Sequence, residues 1–241
     1  MGRPRVLQLL GRWKPQLGFY EIRAPFLKAL DDRGALLKFR MPDDRVEAVV
    51  ADVGFVDVGP GHIQVFVGSP TFDYDHLLET LGNALGAFDD APSGWTGRVK
   101  HISEIDASYD DARLAGVAGW LHTDEEVTDL AVLVDGRDRE TGYTYQCEYG
   151  VISRDEAELR LVRAGRGKPH EVPIEIDTSG LPPVAVFLDW NWSSPQSMPI
   201  NILASGTEVL DRCITLSETH SARIHTKCVD NLPTLNLQLR K

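Results

Sequence analysis

Gly59-Pro60-Gly61 stands between two valine-rich runs, Val46 to Val58 and His62 to Val67, and no other feature constrains the fold as much. Glycine and proline side by side punctuate the chain, so the two runs are expected to fold back as an antiparallel hairpin. Ile63, Val65 and Val67 then share one face, and Gly54 marks a bulge or bend in the first run. The alternation returns at Tyr143, Tyr145, Cys147 and Tyr149, a strand with an aromatic face. Val184 to Trp192 reads as a buried strand closed by Ser193-Ser194-Pro195. Leu17 to Arg23 (stopped by Pro25), Ala35 to Arg40, Trp95 to Ile105, Leu130 to Val134 and Pro173 to Asp177 read as further extended segments.

Helical spacing is weaker. Leu77, Leu78, Leu81, Ala84, Leu85 and Phe88 give one apolar face after Ser69-Pro70-Thr71. Ser153 with Glu156 three residues later is a capping box that opens a short helix. A long helix fits residues 200–228, while Leu235, Leu237 and Leu239 alternate as in a final strand. Asp106 to Asp111 reads as loop, and the glycine-bearing stretch Leu114 to Leu121 fits either type. The pattern predicts an α+β chain: mixed, mainly antiparallel sheets, helices packed on one face, and a long C-terminal helix. Two units are expected, an N-terminal one over 1–135 with a basic start and an acidic centre, and a C-terminal one over 136–241.

A chain of 241 residues buries roughly 70% or more of its unfolded surface and needs no disulfide or structural metal. Three cysteines, Cys147, Cys213 and Cys228, are an odd number, which favours buried free thiols over a disulfide framework. The longest apolar runs fall far short of the roughly 20 residues that cross a membrane. The basic start, broken at Gly11 and Arg12, is no signal peptide, so the expected residence is cytoplasmic, or the virion if a phage encodes the chain.

Charge is unevenly spread. Residues 1–45 carry a net +5, residues 46–135 a net −14, and the whole chain −11. An acidic centre repels phosphate backbones and makes nucleic acid an unlikely partner. The basic start suits docking on an acidic surface.

Few residues suggest chemistry. Asp73, Asp75 and His76 combine carboxylates with imidazole, the groups that bind divalent metals or share a proton, yet they fall where helix-capping residues belong. They are the only catalytic candidates, and no second cluster completes a metal site, so neither metal nor cofactor is expected. Arg166 and Lys168, between glycines, resemble a phosphate-binding loop without its spacing or its helix. His220 and His225 are five apart and point to different helix faces. Trp190 and Trp192 share one face of a strand and form a platform that either binds a ligand or covers the long helix.

Phe19-Tyr20-Glu21-Ile22-Arg23-Ala24-Pro25, the strand and helix at 62–88, Arg98-Val99-Lys100-His101, Phe187-Leu188-Asp189 and Cys213-Ile214-Thr215 occur in an order that carries a likeness. In these the chain resembles a sporadically distributed bacterial family of uncharacterised α+β proteins. The resemblance implies an α+β fold and no particular activity. The functional expectation is a non-enzymatic interaction or assembly protein of a prokaryote or its phage, binding a protein partner or self-associating. Its contacts would be Trp190, Trp192, Arg166, Lys168 and, by strand addition, Leu235, Leu237 and Leu239. The alternatives are a metal-dependent hydrolase or nuclease built on Asp73, Asp75 and His76, and a small-molecule sensor.

Overall fold

A computed structural model describes residues 4–12, 15, 18–32, 34, 36–50, 54–68, 94–120, 126–128, 131–139, 142–165, 176–194 and 202–238. The strands are β1 (Val6–Arg12), β2 (Leu36–Arg40), β3 (Val46–Val50), β4 (Gly54–Gly59), β5 (His62–Val67), β6 (Gly94–Glu104), β7 (Glu126–Thr128), β8 (Ala131–Arg137), β9 (Thr144–Ser153) and β10 (Val184–Ser193). The helices are α1 (Phe19–Asp31), α2 (Tyr109–Trp120), α3 (Arg154–Gly165) and α4 (Ile202–Gln238). All ten strands join one sheet in the order β2-β3-β4-β5-β1-β6-β10-β9-β8-β7, and every pairing is antiparallel.

This order repeats itself. From the centre outward, β1 is followed by β5, β4, β3 and β2, and β6 by β10, β9, β8 and β7. Among the described residues each half begins with a strand, a helix and three strands and adds a last strand, directly in the first half and after α3 in the second; the two first strands meet antiparallel, Val6 opposite Lys100 and Arg12 opposite Gly94. The repeat therefore turns over between β5 and β6. The boundary expected at 135/136 falls inside β8, and the sheet contains strands from both sides of it.

Alternation gives the sheet two faces. Face A carries Leu7, Leu9, Val46, Ala48, Val65, Val99, Tyr149, Val186, Leu188 and Trp190, buried with Phe26, Leu30, Trp120, Ile214 and Ile224 of the helices in the larger core. On α4, Cys213, Ile214, Ser217, Ser221, Ile224 and Cys228 recur at helical spacing and are buried. Helix α2 lies close against it: the Trp120 indole donates to the Ile224 carbonyl at 3.3 Å and the Cys228 thiol to the Ala112 carbonyl at 3.4 Å. Ser108 caps α2, accepting from the Asp111 amide at 3.2 Å and donating to its carboxylate at 2.7 Å. Ser108→Ala is expected to cost about 1 kcal/mol, read as a lower urea midpoint with an unchanged slope.

The expectation that helices pack on one face is corrected by α3. Ala157 and Leu161 are buried on face B with Val6, Phe55, Phe66, Ile102, Ile152 and Phe187, in a second core that Leu181 also joins. The Ser153 cap is present, its Oγ accepting from the Glu156 amide at 3.4 Å. Helix α3 and residues 176–183 come between β9 and β10 in the second half, and the part of face B they cover is the end that carries Val6, Phe55, Phe66, Ile102, Ile152 and Phe187.

Two segments read as strands are helical. Residues 19–23 open α1, because Phe19, Phe26, Leu27 and Leu30 make a longer helical stripe, buried over Val46, Ala48 and Val50, than the short alternation before Pro25. Pro25 lies inside this helix at an exposed position. Leu235 and Leu237 lie in α4, since extending a helix already formed costs less than starting a strand. Leu239, the 69–93 segment with Asp73, Asp75 and His76, and Arg166 and Lys168 lie outside the described residues. The β4–β5 hairpin, the aromatic-faced β9 and buried β10 stand as read. Among the described residues no helix is long and apolar enough to cross a membrane.

Candidate functional site

The end of face B that α3 leaves uncovered is its polar end. Reading across the strands by register, Gln8 faces Arg98, Arg98 faces Asn191, Asn191 faces Gln146, and Gln146 faces Asp135. The next row runs Gln64, Leu10, Thr96, Ser193, Thr144 and Arg137. Side chains in the same row of neighbouring strands stand about 4.8 Å apart, so five strands lay out a floor roughly 19 Å long. The open groove above it encloses about 750 Å³.

The floor is bounded on its α3 side by a buried ion cluster in the adjoining row of the same face. Asp189 is 2% exposed and Lys100 8%. Arg98 holds the Asp189 carboxylate with both arms, Nε to Oδ1 at 2.6 Å and Nη2 to Oδ2, and the Lys100 ammonium reaches Oδ2 as well. Burial alone would raise the Asp189 pKa; the Arg98 hydrogen bond and the Lys100 charge outweigh it and hold the carboxyl below its ordinary value. Lys100 is lowered, chiefly by burial, with Asp189 opposing. Arg160 continues the network from α3, bonding Glu148 at 2.9 Å and Glu156 at 3.0 Å while lying 4.1 Å over the Phe187 ring.

On the floor itself, Gln146 donates to Asp135 at 3.1 Å. Gln8, Gln64 and Asn191 are half-buried, and their carboxamides carry no side-chain hydrogen bond among the described residues. The groove thus offers paired donors and acceptors around one guanidinium already neutralised by Asp189. Among the described residues its lining holds no histidine or cysteine.

Trp192 borders this groove, but neither tryptophan is exposed in it. Trp190 and Trp192 are 1% and 3% exposed and belong to face A. Trp190 stacks on Tyr145 at 4.3 Å and leans on His220 of α4 at 4.7 Å, so Trp190 covers the long helix, and with Trp192 also buried the pair presents no exposed ligand platform. Their indole N–H groups are buried without acceptors. Trp192 lies flat across Gly97 of the neighbouring strand, Trp95 across Gly11, and Tyr145 across Gly136, each opposite its glycine in register. His220 and His225 separate as their spacing predicts, His225 turning to the Glu104 carbonyl at 2.8 Å.

The three cysteines are buried free thiols. Burial pushes Cys228 up to about 11 and Cys213 higher, which keeps both protonated and unreactive. A second cleft of about 540 Å³ lies beside α4, between Arg5, Glu104, Glu218 and Ser221. No three His, Cys, Asp or Glu residues stand close enough to hold a metal among the described residues.

Sequence reasoning missed the Arg98, Lys100, Asp189 cluster although its signal was present. Arg98 and Lys100 are two apart in one strand, hence on one face, and Asp189 interrupts the most apolar strand of the chain. Compared with protein-family models and with curated proteins, the chain matches none.

Proposed function

We propose that this chain is a non-enzymatic interaction protein and that the uncovered polar end of face B docks a protein partner. The observation that carries the reading is the row Gln8, Arg98, Asn191, Gln146 and Asp135, one hydrogen-bonding side chain from each of five adjacent strands. Strands hold such groups more firmly than loops do, and unengaged half-buried amides gain most from a partner that completes their hydrogen bonds. The charges largely cancel, Arg98 against Asp189 and Arg160 against Glu148, so the surface suits a polar, weakly charged protein face. A groove lined without histidine or cysteine favours recognition over turnover.

Thr96 is exposed at the centre of the floor, and Thr96→Arg is expected to obstruct it without touching the core. In native mass spectrometry of untagged protein, the wild type should carry a partner mass that the variant loses, with affinity at least tenfold lower. Leu159→Lys, at an exposed position on α3, serves as the surface control. Equal retention by Thr96→Arg at an unchanged melting temperature would remove the groove from the contact.

A further inference from the structure

The two edges of the sheet are made differently. Edge strand β2 is Leu36-Leu37-Lys38-Phe39-Arg40, with Leu37 66% and Phe39 50% exposed and Met41, next in the chain, 50% exposed. Both its charges are positive; Lys38 is exposed, while Arg40 shares the buried Glu47 with Arg45. The opposite edge, β7, is Glu126-Val127-Thr128 within the sequence Asp124-Glu125-Glu126-Val127-Thr128-Asp129, which holds four acids and no base.

Geometry relates these edges further. Ten strands paired antiparallel throughout leave the two edges running in opposite directions. A second copy set beside the first in the same orientation therefore brings its β2 antiparallel to the first copy's β7, and the alternation continues unbroken. One register of that junction sets Arg40 against Glu126, Phe39 against Val127 and Lys38 against Thr128. It also keeps the faces in step, because the register row of Arg40 runs through Glu47 to Leu10 and that of Glu126 through Leu133 and Asp189 to Val6, an even number of residues apart on β1.

The alternative self-contact is disfavoured. Pairing β2 with β2 about a two-fold axis places Lys38 opposite Arg40 when centred on Phe39, and opposite itself when centred on Lys38. Like charges directly across a strand pair are destabilising, and opposite charges add to pairing. Basic residues on an edge strand block pairing with a basic edge while leaving an acidic one free to join.

From this we infer that the chain associates head to tail, the β2 edge of one copy accepting the β7 edge of the next, to extend the sheet from molecule to molecule. The contact is heterologous, so it propagates unless the rotation between copies closes a ring. It uses none of the groove residues and stands apart from the partner contact proposed on face B.

Sedimentation velocity over a concentration series tests this with two edge variants of the full chain. Lys38→Glu with Phe39→Glu reverses the β2 edge, and Glu126→Lys alters the β7 edge. The wild type should form a concentration-dependent ladder of species, and each variant alone should associate at least tenfold more weakly. Mixing the two should restore association, because the first retains a native β7 edge and the second a native β2 edge. Circular dichroism melting confirms that both variants fold. A wild type monomeric into the millimolar range overturns the inference, as does a Glu126→Lys protein that self-associates like the wild type. Failure of the mixture to associate overturns it also.

Discussion

Asp189→Ala should lower stability by about 3–5 kcal/mol, because it leaves Lys100 as a buried ammonium with no counter-ion. In a chain of this size that corresponds to a melting temperature roughly 10 °C lower. The loss reflects the unpaired cation more than the worth of the ion cluster, and a second variant separates the two. Asp189→Leu combined with Lys100→Met replaces the pair by apolar groups of similar size and should recover most of the stability. Arg98, whose side chain is 41% exposed, can turn its head to solvent. A single alanine variant within 1 kcal/mol of wild type, measured by urea unfolding, would show that the charges are relieved some other way.

The same cluster gives stability a pH dependence. The folded pKa of Asp189 lies below its ordinary value, so its contribution is complete above about pH 4 and is lost as pH falls through the lowered folded value. Lys100 adds a trend at the other end. Its folded pKa is lowered, so the unfolded chain holds that proton longer, and between the lowered value and about 10.4 this group makes stability rise with pH. In Asp189→Leu with Lys100→Met both components should vanish from the pH profile of the unfolding free energy.

Gly97→Ala should cost about 2–3 kcal/mol although it adds one methyl group. An alanine Cβ at Gly97 would meet the Trp192 indole, which lies flat on the glycine and is held in place by the Tyr143 ring at 5.8 Å. The indole has nowhere to retreat, because Trp192 is buried. Gly94, three residues earlier in the same strand, has nothing within 4 Å of the equivalent position, so Gly94→Ala should stay within about 0.5 kcal/mol of wild type. Comparing the two urea midpoints isolates the steric effect from strand propensity, which is the same for both substitutions. Equal effects would mean that the indole yields.

What the sequence disclosed follows the range of the interactions involved. Gly59-Pro60-Gly61 and the Tyr143 to Tyr149 alternation depend on neighbours a few residues away, and both elements form as read. So does β10, whose uninterrupted apolar run has one meaning at that length. Residues 19–23 misled because five residues before a proline fit a strand, whereas the decisive apolar stripe extends to Leu30. The pairing of Asp189 with Arg98 and Lys100 spans about 90 residues; the local pattern marks each as a charge on a strand but does not say which one it meets. The tryptophans posed a question of burial that only the position of α4 answers, and His220 answers it. The groove was illegible for a related reason: its residues come from β1, β5, β6, β8, β9 and β10, and residues side by side along a row of the floor belong to different strands.

The meeting of β1 and β6 at the middle of the sheet has a consequence for what the ends can become. Two five-stranded units joined edge to edge across a two-fold axis have the same connectivity as this chain. In such a dimer the outer edges are copies of one another, so whatever one edge accepts the other accepts too, and growth by unlike ends is impossible. Carrying both units on one polypeptide releases that constraint. One side carries a covering helix that the other side's connection between its last two strands lacks, and one edge strand holds Lys38 and Arg40 while the other holds Glu126. Polarity, which no symmetric pair possesses, is what the joining of the halves made available.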